Sequence, residues 1–554
     1  MADLLDDKTL EKLFLTELES LEHFRISYTA LFRDAPLGRE DPDVRRLIEA
    51  MAFFSARTRQ VSERSVNESL LQLFRQFFPY ATSPLPAMAL LRADTSSRFV
   101  DPVTLPRGME VLARPGAARP GRAPYRFRTM APLRVLPLQL TTVRSVMARG
   151  RLTRLVLHFA SLHPREEVLD ELPLLINHLD DLHASLSVFF ALKRHLRSAS
   201  VFWSNEVPPG AQGQPCRLAF GPPTSAPHEF EAFESPVERF RMFLHFPQAE
   251  LFVRLQGLAS PRRWQHLSLC LDFDDHWPIE LSLTRDSFRL NVVPMANLRR
   301  DMADPITHDA TVERHLLRHP DDAARFVPHS LLGVYLLAGK AMEPLEPGIL
   351  GPTRLGYESA FSGKGTDRRG WLLLEMPGSF DEPARVAVEA SWTQPDIVGL
   401  HATDLSLAAA DRHVEGVSWT CEGALAPPTD SEVEDRRDEL LALTGLKGQR
   451  LLSANDLTFL LRALGGLRRP EFARLLHGMV AADHRSRPAA GAAGGLCQVY
   501  TLTFKDLAAS DLPALDLLAS QMLSLLQSWS IEQVIELVTL VPHLGHTARY
   551  TASP

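Results

Sequence analysis

Residues 70–91 read LLQLFRQFFPYATSPLPAMALL, and the character of the chain changes in the middle of this stretch. Leu70, Leu71, Phe74 and Phe77 recur at three- and four-residue spacing, the repeat of a helix that buries one face. Pro79 ends the pattern, because proline has no amide donor and its ring clashes with the preceding turn. Beyond Thr82 the apolar residues come in short runs broken by Pro, Gly and Arg, beginning with residues 88–91, which is how strands separated by turns are written. Helices before this stretch and mainly strands after it predict an α+β, multidomain chain with a helical N-terminal region, β-rich middle modules and a mixed α/β C-terminal region.

Working towards the N-terminus, Leu10, Phe14, Leu18, Leu21, Phe24, Tyr28 and Leu31 line one face of a long amphipathic helix. Asp41 followed by Pro42 signals a second start: the carboxylate caps free amides, and proline fits the first turn without losing a needed donor. Val44, Leu47, Ile48, Met51, Phe54 and Val61 carry the stripe onward. These segments make residues 1–82 a helical N-terminal region. An apolar stripe ordinarily packs on its own domain; at the head of the chain, ahead of any obvious core, it also suits an intersubunit helix. The partner-binding residues expected on that second reading are Leu10, Phe14, Leu18, Leu21, Phe24 and Tyr28.

Working towards the C-terminus, residues 265–274 alternate Leu267, Leu269, Leu271 and Phe273 with His266, Ser268, Cys270 and Asp272, a strand with one core face. Leu182, Leu186, Phe189, Phe190 and Leu196 predict helical material within residues 166–196. The 41 prolines, about 7% of the chain against a usual 5% or so, gather in loops at 114–124, 208–227, 343–352 and 426–438, and a further loop spans 487–495. The expected divisions are a β-rich middle with inserted helices over 83–345, a second β-rich module over 346–437, and a helical C-terminal region with a short strand over 438–554.

The 554 residues, 45% hydrophobic and 23% charged, supply several buried cores and exclude wholesale disorder. A net charge of -7 offers no basic field for a phosphate backbone, so no nucleic acid is expected. Cys216, Cys270, Cys421 and Cys497 stand far apart, with no CxxC or zinc spacing, which fits a reducing cytoplasm. The acidic start, MADLLDDK, has no apolar signal region, and no apolar run reaches the roughly 18 to 20 residues that span a bilayer. A cytoplasmic protein with no direct membrane insertion is expected.

The search for chemistry predicts no catalytic, cofactor or metal site. Gly363 and Lys364 are followed by Gly365, and Gly339 and Lys340 by Ala341, so neither pair has the hydroxyl or the earlier glycine of a phosphate loop. His178, Asp180, Asp181 and His183 carry metal-type ligands, but five positions separate the histidines where one helical face needs three or four. Asp272, Asp274, Asp275 and His276 lack the glycine and distal glutamate of a calcium loop. No GxSxG elbow is present. Between Arg107 and Arg128, with Arg114, Arg119, Arg122 and Arg126, lies a local basic cluster that reads either as a solvated loop or as a contact for an acidic partner.

One ordered set of segments goes further. DPDVRRLIEAMAFFSA at 41–56, the run at 70–79, SPLPAMALL at 83–91, LPRGME at 105–110, FRT at 127–129, LPL at 136–138, LNVVPMANL at 290–298 and DPI at 304–306 follow one another, with the end segment at 498–541. Together they resemble the TssF family, also called VasA or ImpG, of bacterial type VI secretion baseplates. Residues 351–421 carry little of the resemblance; TDL at 403–405 stands where the family's Asn-Arg-Asp tripeptide is expected. The resemblance implies a cytoplasmic, non-enzymatic wedge protein. Two copies would join one TssG, bind TssK and TssE, surround the spike hub with the other wedges, support assembly of the contractile sheath, and sit in a baseplate docked to the inner-membrane complex. Two competing classes, a cytosolic hydrolase with a dispersed active site and a β-module binding protein, fit the size but have no motif.

Overall fold

The computed structural model describes residues 2–31, 41–77, 81–116, 122–148, 151–166, 168–208, 211, 213–223, 236–274, 276–278, 281–321, 325–339, 341–348, 355–376, 378–433, 436–447, 449, 451–488, 496–529 and 533–551. The chain divides into two compact units, Met1–Phe77 with Glu434–Leu441, and Phe78–Val433 with Ala442–Pro554.

The first unit is built on two long helices, α1 (Ala2–Leu31) and α2 (Pro42–Phe77). Asp41 starts α2 as its side chain predicts: Oδ1 accepts from the Asp43 amide at 2.9 Å, and its carbonyl accepts from the Arg45 amide at 3.1 Å. The Glu17 carboxylate accepts from Ser55 Oγ at 3.0 Å and from Arg59 Nη1 at 3.1 Å. Glu17 and Ser55 lie at nearly equal distances from the connecting segment, so the helices run antiparallel. On α2 the buried stripe is Ala52, Ala56 and Gln60, spaced one turn apart. Small residues there let backbones approach closely.

In the second unit the first strand, Met88–Thr95, pairs antiparallel with Val292–Ala296 on one side and Val417–Ala426 on the other. Tyr125–Thr129, Glu110–Pro115 and Leu405–Ala409 complete a closed barrel of six strands. Inside it, Ala89 and Ala93 leave room for Tyr125 and Phe127, all fully buried. An eight-stranded sheet runs from Phe288–Arg289 to the edge strand Gln139–Ala148, with Trp264–Phe273 well inside. That strand alternates as expected, yet Ser268 and Cys270 are as buried as Leu267 and Leu269, because this sheet is covered on both faces there.

Three features correct the sequence reading. Within 166–196 the helix is confined to α3 (Leu182–His195), and Glu171–Ile176 is a strand whose Leu172, Leu174 and Ile176 are buried. The boundary expected at 345/346 runs through shared sheets. Ala384–Thr393 pairs with Arg299–Met302 and Val327–Ala338, and Val417–Ala426 closes the barrel with Met88–Thr95. Composition along the chain carries no record of such distant pairing. Third, the region expected to be helical with one short strand has four: Met479–Pro488, Leu496–Phe504, Gln533–Val541 and His546–Thr551. Short apolar runs do not distinguish a buried strand from a buried helix, and Val534, Val538, Thr539 and Val541 are the branched residues that favour the strand. After α4 (Pro236–His245), α5 (Arg437–Lys447), α6 (Ala454–Ala463) and α7 (Pro470–Gly478) comes α8 (Leu512–Trp529), buried on nearly every side. It is the crossover between the parallel strands Leu496–Phe504 and Gln533–Val541.

The extended segment between α2 and the barrel, residues 81–87, is wholly buried. Two prolines deny it a regular sheet ladder, so its carbonyls need other donors. Arg241 Nη2 donates to Ser83 O at 2.7 Å, His329 Nε2 to Pro84 O at 2.9 Å and His245 Nε2 to Pro86 O at 3.1 Å, while Leu85 exchanges both backbone bonds with Thr429. Burial lowers His245 to about 4 and His329 to about 3. In the unfolded chain an imidazole takes its proton near pH 6.5, so acid favours unfolding. Stability held in full above pH 6.5 is therefore expected to fall as pH drops toward 4, by on the order of 2–3 kcal/mol for each histidine. Urea midpoints measured across that range should fall less steeply in His245→Gln and His329→Gln; slopes equal to wild type would contradict the assignment.

Candidate functional site

None of the constellations weighed for chemistry assembles a reactive centre among the described residues. Gly363 and Lys364 sit in the turn between the antiparallel strands Gly356–Ser362 and Arg369–Glu375, where the helical piece that follows is a single 3-10 turn, Gly365–Asp367, too short to cradle a phosphate. Lys340 lies outside the described residues. Asp181 caps α3, its Oδ2 accepting from the Ala184 amide at 2.7 Å. Asp180 accepts from Asn177 at 2.8 Å, and His178 Nδ1 lies 2.9 Å from Ser287 Oγ. Asp272 is held by Arg154 at 2.5 Å and Asp274 by His195 at 3.0 Å, while Asp275 lies outside the described residues. Among the described residues no group of three or more His, Cys, Asp or Glu is placed to hold a metal ion. All four cysteines are free, and burial pushes the Cys216, Cys270 and Cys421 thiols up to about 11, which keeps them protonated and unreactive.

One surface suited to contact lies on the helical unit. Leu10, Phe14, Leu18, Leu21 and Tyr28 are half-buried on the side of α1 that carries Glu17, the residue tied to α2, whereas Phe24 is 62% exposed. The stripe found from sequence is thus largely engaged within the hairpin. A second stripe stands free on α2: Leu47, Met51, Phe54 and Val61, with Phe54 77% exposed. At 100° per residue these four fall within one narrow arc, opposite the buried Ala52, Ala56 and Gln60. The spacing of four, three and seven is that of a seam meant for another helix. Leu47, Met51, Phe54 and Val61 were part of the sequence stripe; what the sequence lacked was the sign that the small alanines, not they, face inward.

The basic cluster is divided by the fold. Arg122 pairs with Asp396, and Arg126 with Glu110 at 2.6 Å. Arg114 is exposed, and Arg119 lies outside the described residues. Arg107 and Arg128 come together at one cavity.

Among curated proteins, none matches this chain. Several solved chains share its fold, among them two from type VI secretion baseplates. A chain of a type VI secretion TssK-TssF-TssG baseplate subcomplex, determined by cryo-electron microscopy, aligns over 92% of this chain and 98% of its own length, with TM-score 0.73 and 19% identity. A chain of a baseplate complex from the type VI secretion system aligns over 98% of both, with TM-score 0.60 and 19% identity. The family model for TssF of the type VI secretion system matches residues 32–200 and 222–346, which takes in all of α2, four of the barrel's six strands and most of the eight-stranded sheet. With a match over more than half its length, this chain belongs to the TssF family of the type VI secretion system.

Proposed function

We propose that this chain is a structural, non-enzymatic subunit of a type VI secretion baseplate, joined to TssG and TssK through its helical unit. The observation that carries the reading is the exposed apolar seam of α2, Leu47, Met51, Phe54 and Val61, on a helix of 36 residues, about 54 Å long. Monomeric helices seldom leave such a stripe in water. The TssF family membership and the shared fold of baseplate chains support it. Among the described residues no helix is long and apolar enough to cross a membrane. The finer proposals are two copies of this chain per TssG, further contacts with TssE and the spike hub, and a cytoplasmic wedge docked to the inner-membrane complex.

Co-expression with TssG and TssK followed by native mass measurement tests the reading. The double substitution Met51→Glu and Phe54→Glu, on the exposed face, is expected to weaken assembly by about 100-fold or more, since burying two such side chains contributes roughly 3 kcal/mol or more. Circular dichroism should stay unchanged. Leu18→Glu with Leu21→Glu, on the engaged face, should instead lose helix content along with assembly. An intact complex mass for the Met51/Phe54 variant would sink the role of α2, and a chain that copurifies with neither partner would sink the baseplate assignment.

A further inference from the structure

Arg107 and Arg128 have no part in the helical unit. Arg107 lies in the turn before the strand Glu110–Pro115, and Arg128 within Tyr125–Thr129, yet both line one cavity of about 420 Å3. Arg299 and Arg300, from the strand Arg299–Met302, line it too. Segments distant in sequence thus bring four arginines to the lining of one concavity. Part of the wall is apolar, from Met130, Met242 and Leu298. Gly108, at φ +81°, has nothing within 4 Å of where a Cβ would stand, so the turn that carries Arg107 leaves open space beside it.

Three carboxylates share the lining: Glu110, Glu238 and Asp301. Glu110 is held by Arg126 at 2.6 Å and lies 4.0 Å from Arg299, and Asp301 is 3.0 Å from Arg299. Glu389 steadies Arg300 at 3.1 Å. These contacts orient Arg299 and Arg300, and each guanidinium carries five N–H donors in a rigid fork. Four arginines against three carboxylates leave the lining one positive charge, in a chain whose net charge is -7.

We propose that this cavity docks an acidic peptide segment of a partner chain, which presents a carboxylate to the arginines and lays an apolar side chain on Met130, Met242 and Leu298. The volume sits within the range of peptide and small-ligand pockets and is far larger than one phosphate needs. A small anion would leave the apolar wall wet. Single-stranded nucleic acid is disfavoured because the lining has no Phe, Tyr or Trp on which bases stack. The inference rests on the second unit alone and stands apart from the helical seam.

The test uses the full chain and fluorescence anisotropy with a labelled hexapeptide of alternating glutamate and leucine. Its glutamine counterpart and inorganic phosphate serve as controls. The glutamate peptide is expected to bind, with affinity falling as salt rises past about 0.15 M, and the glutamine peptide at least about tenfold more weakly. Arg107→Gln with Arg300→Gln should weaken the glutamate peptide by about tenfold or more at an unchanged thermal midpoint. Should that pair fail to fold, Met130→Glu, which sets a carboxylate in the half-exposed wall, is expected to abolish binding in a folded chain. Equal binding of the glutamine peptide, displacement by phosphate at matching concentration, no binding by wild type, or undiminished binding by the folded variants would each overturn the proposal.

Discussion

Glu422→Ala is expected to destabilise the second unit by about 3 kcal/mol, near the lower end for a broken buried ion pair. Glu422 sits in the barrel strand Val417–Ala426 and is 5% exposed. Its Oε2 is 2.5 Å from Arg92 Nη1, and its Oε1 accepts from Arg289 Nε and from Asn177 Nδ2, each at 2.7 Å. One carboxylate therefore joins the barrel to the edge of the eight-stranded sheet, where Phe288–Arg289 pairs with Glu171–Ile176. Removing it leaves two partly buried guanidiniums without the carboxylate they share. Asp94 at 2.8 Å from Arg92 and Asp286 at 3.1 Å from Arg289 compensate in part, which keeps the expected loss from the top of the range. Urea unfolding followed by tryptophan fluorescence reads the effect. By contrast Glu49→Ala, which removes the exposed i,i+4 partner of Arg45, should change stability by about 0.5 kcal/mol or less. A Glu422 loss as small as the Glu49 loss would show that the cluster is solvent-screened.

Trp392→Ala is expected to cost about 3–5 kcal/mol, the range for deleting a large buried aromatic side chain. Trp392 is 1% exposed in the core of the five-stranded sheet. Its Nε1 donates to the Asp301 carbonyl at 3.2 Å, and the His319 ring meets it edge-on at 5.1 Å between centroids. Alanine removes the packing and leaves the Asp301 carbonyl without that donor, so cavity and polar costs add. Trp392→Phe keeps most of the volume and should lose much less; equal losses for both substitutions would place the cost in the hydrogen bond rather than in packing.

The fold class was legible because helix and strand periodicity are local. Asp41 and Pro42 start α2 where they predict, and the Leu267 to Phe273 alternation lies in a strand. The strands of residues 533–541 and 546–551 were poorly legible, since short apolar runs suit either element, branched residues favour the first strand only weakly, and the α8 crossover packs against both. Much the same divides the contact surfaces. The sequence shows apolar stripes on both N-terminal helices but not which face is spent inside the hairpin, and it shows six arginines between 107 and 128 but not which of them meet.

By itself, then, the sequence determined the helical start, the strand-rich body that follows it and the TssF resemblance, because each of these is written in neighbouring residues. Only the tertiary structure decided how the stretch at 70–91 is used. Its second half pairs with distant strands, Met88 with Ala296, 208 positions away, and with Ala426, 338 positions away. Its proline segment survives burial because Arg241, His245 and His329 arrive from elsewhere to satisfy its carbonyls. Donors that must come from distant elements leave no local trace in the chain that needs them.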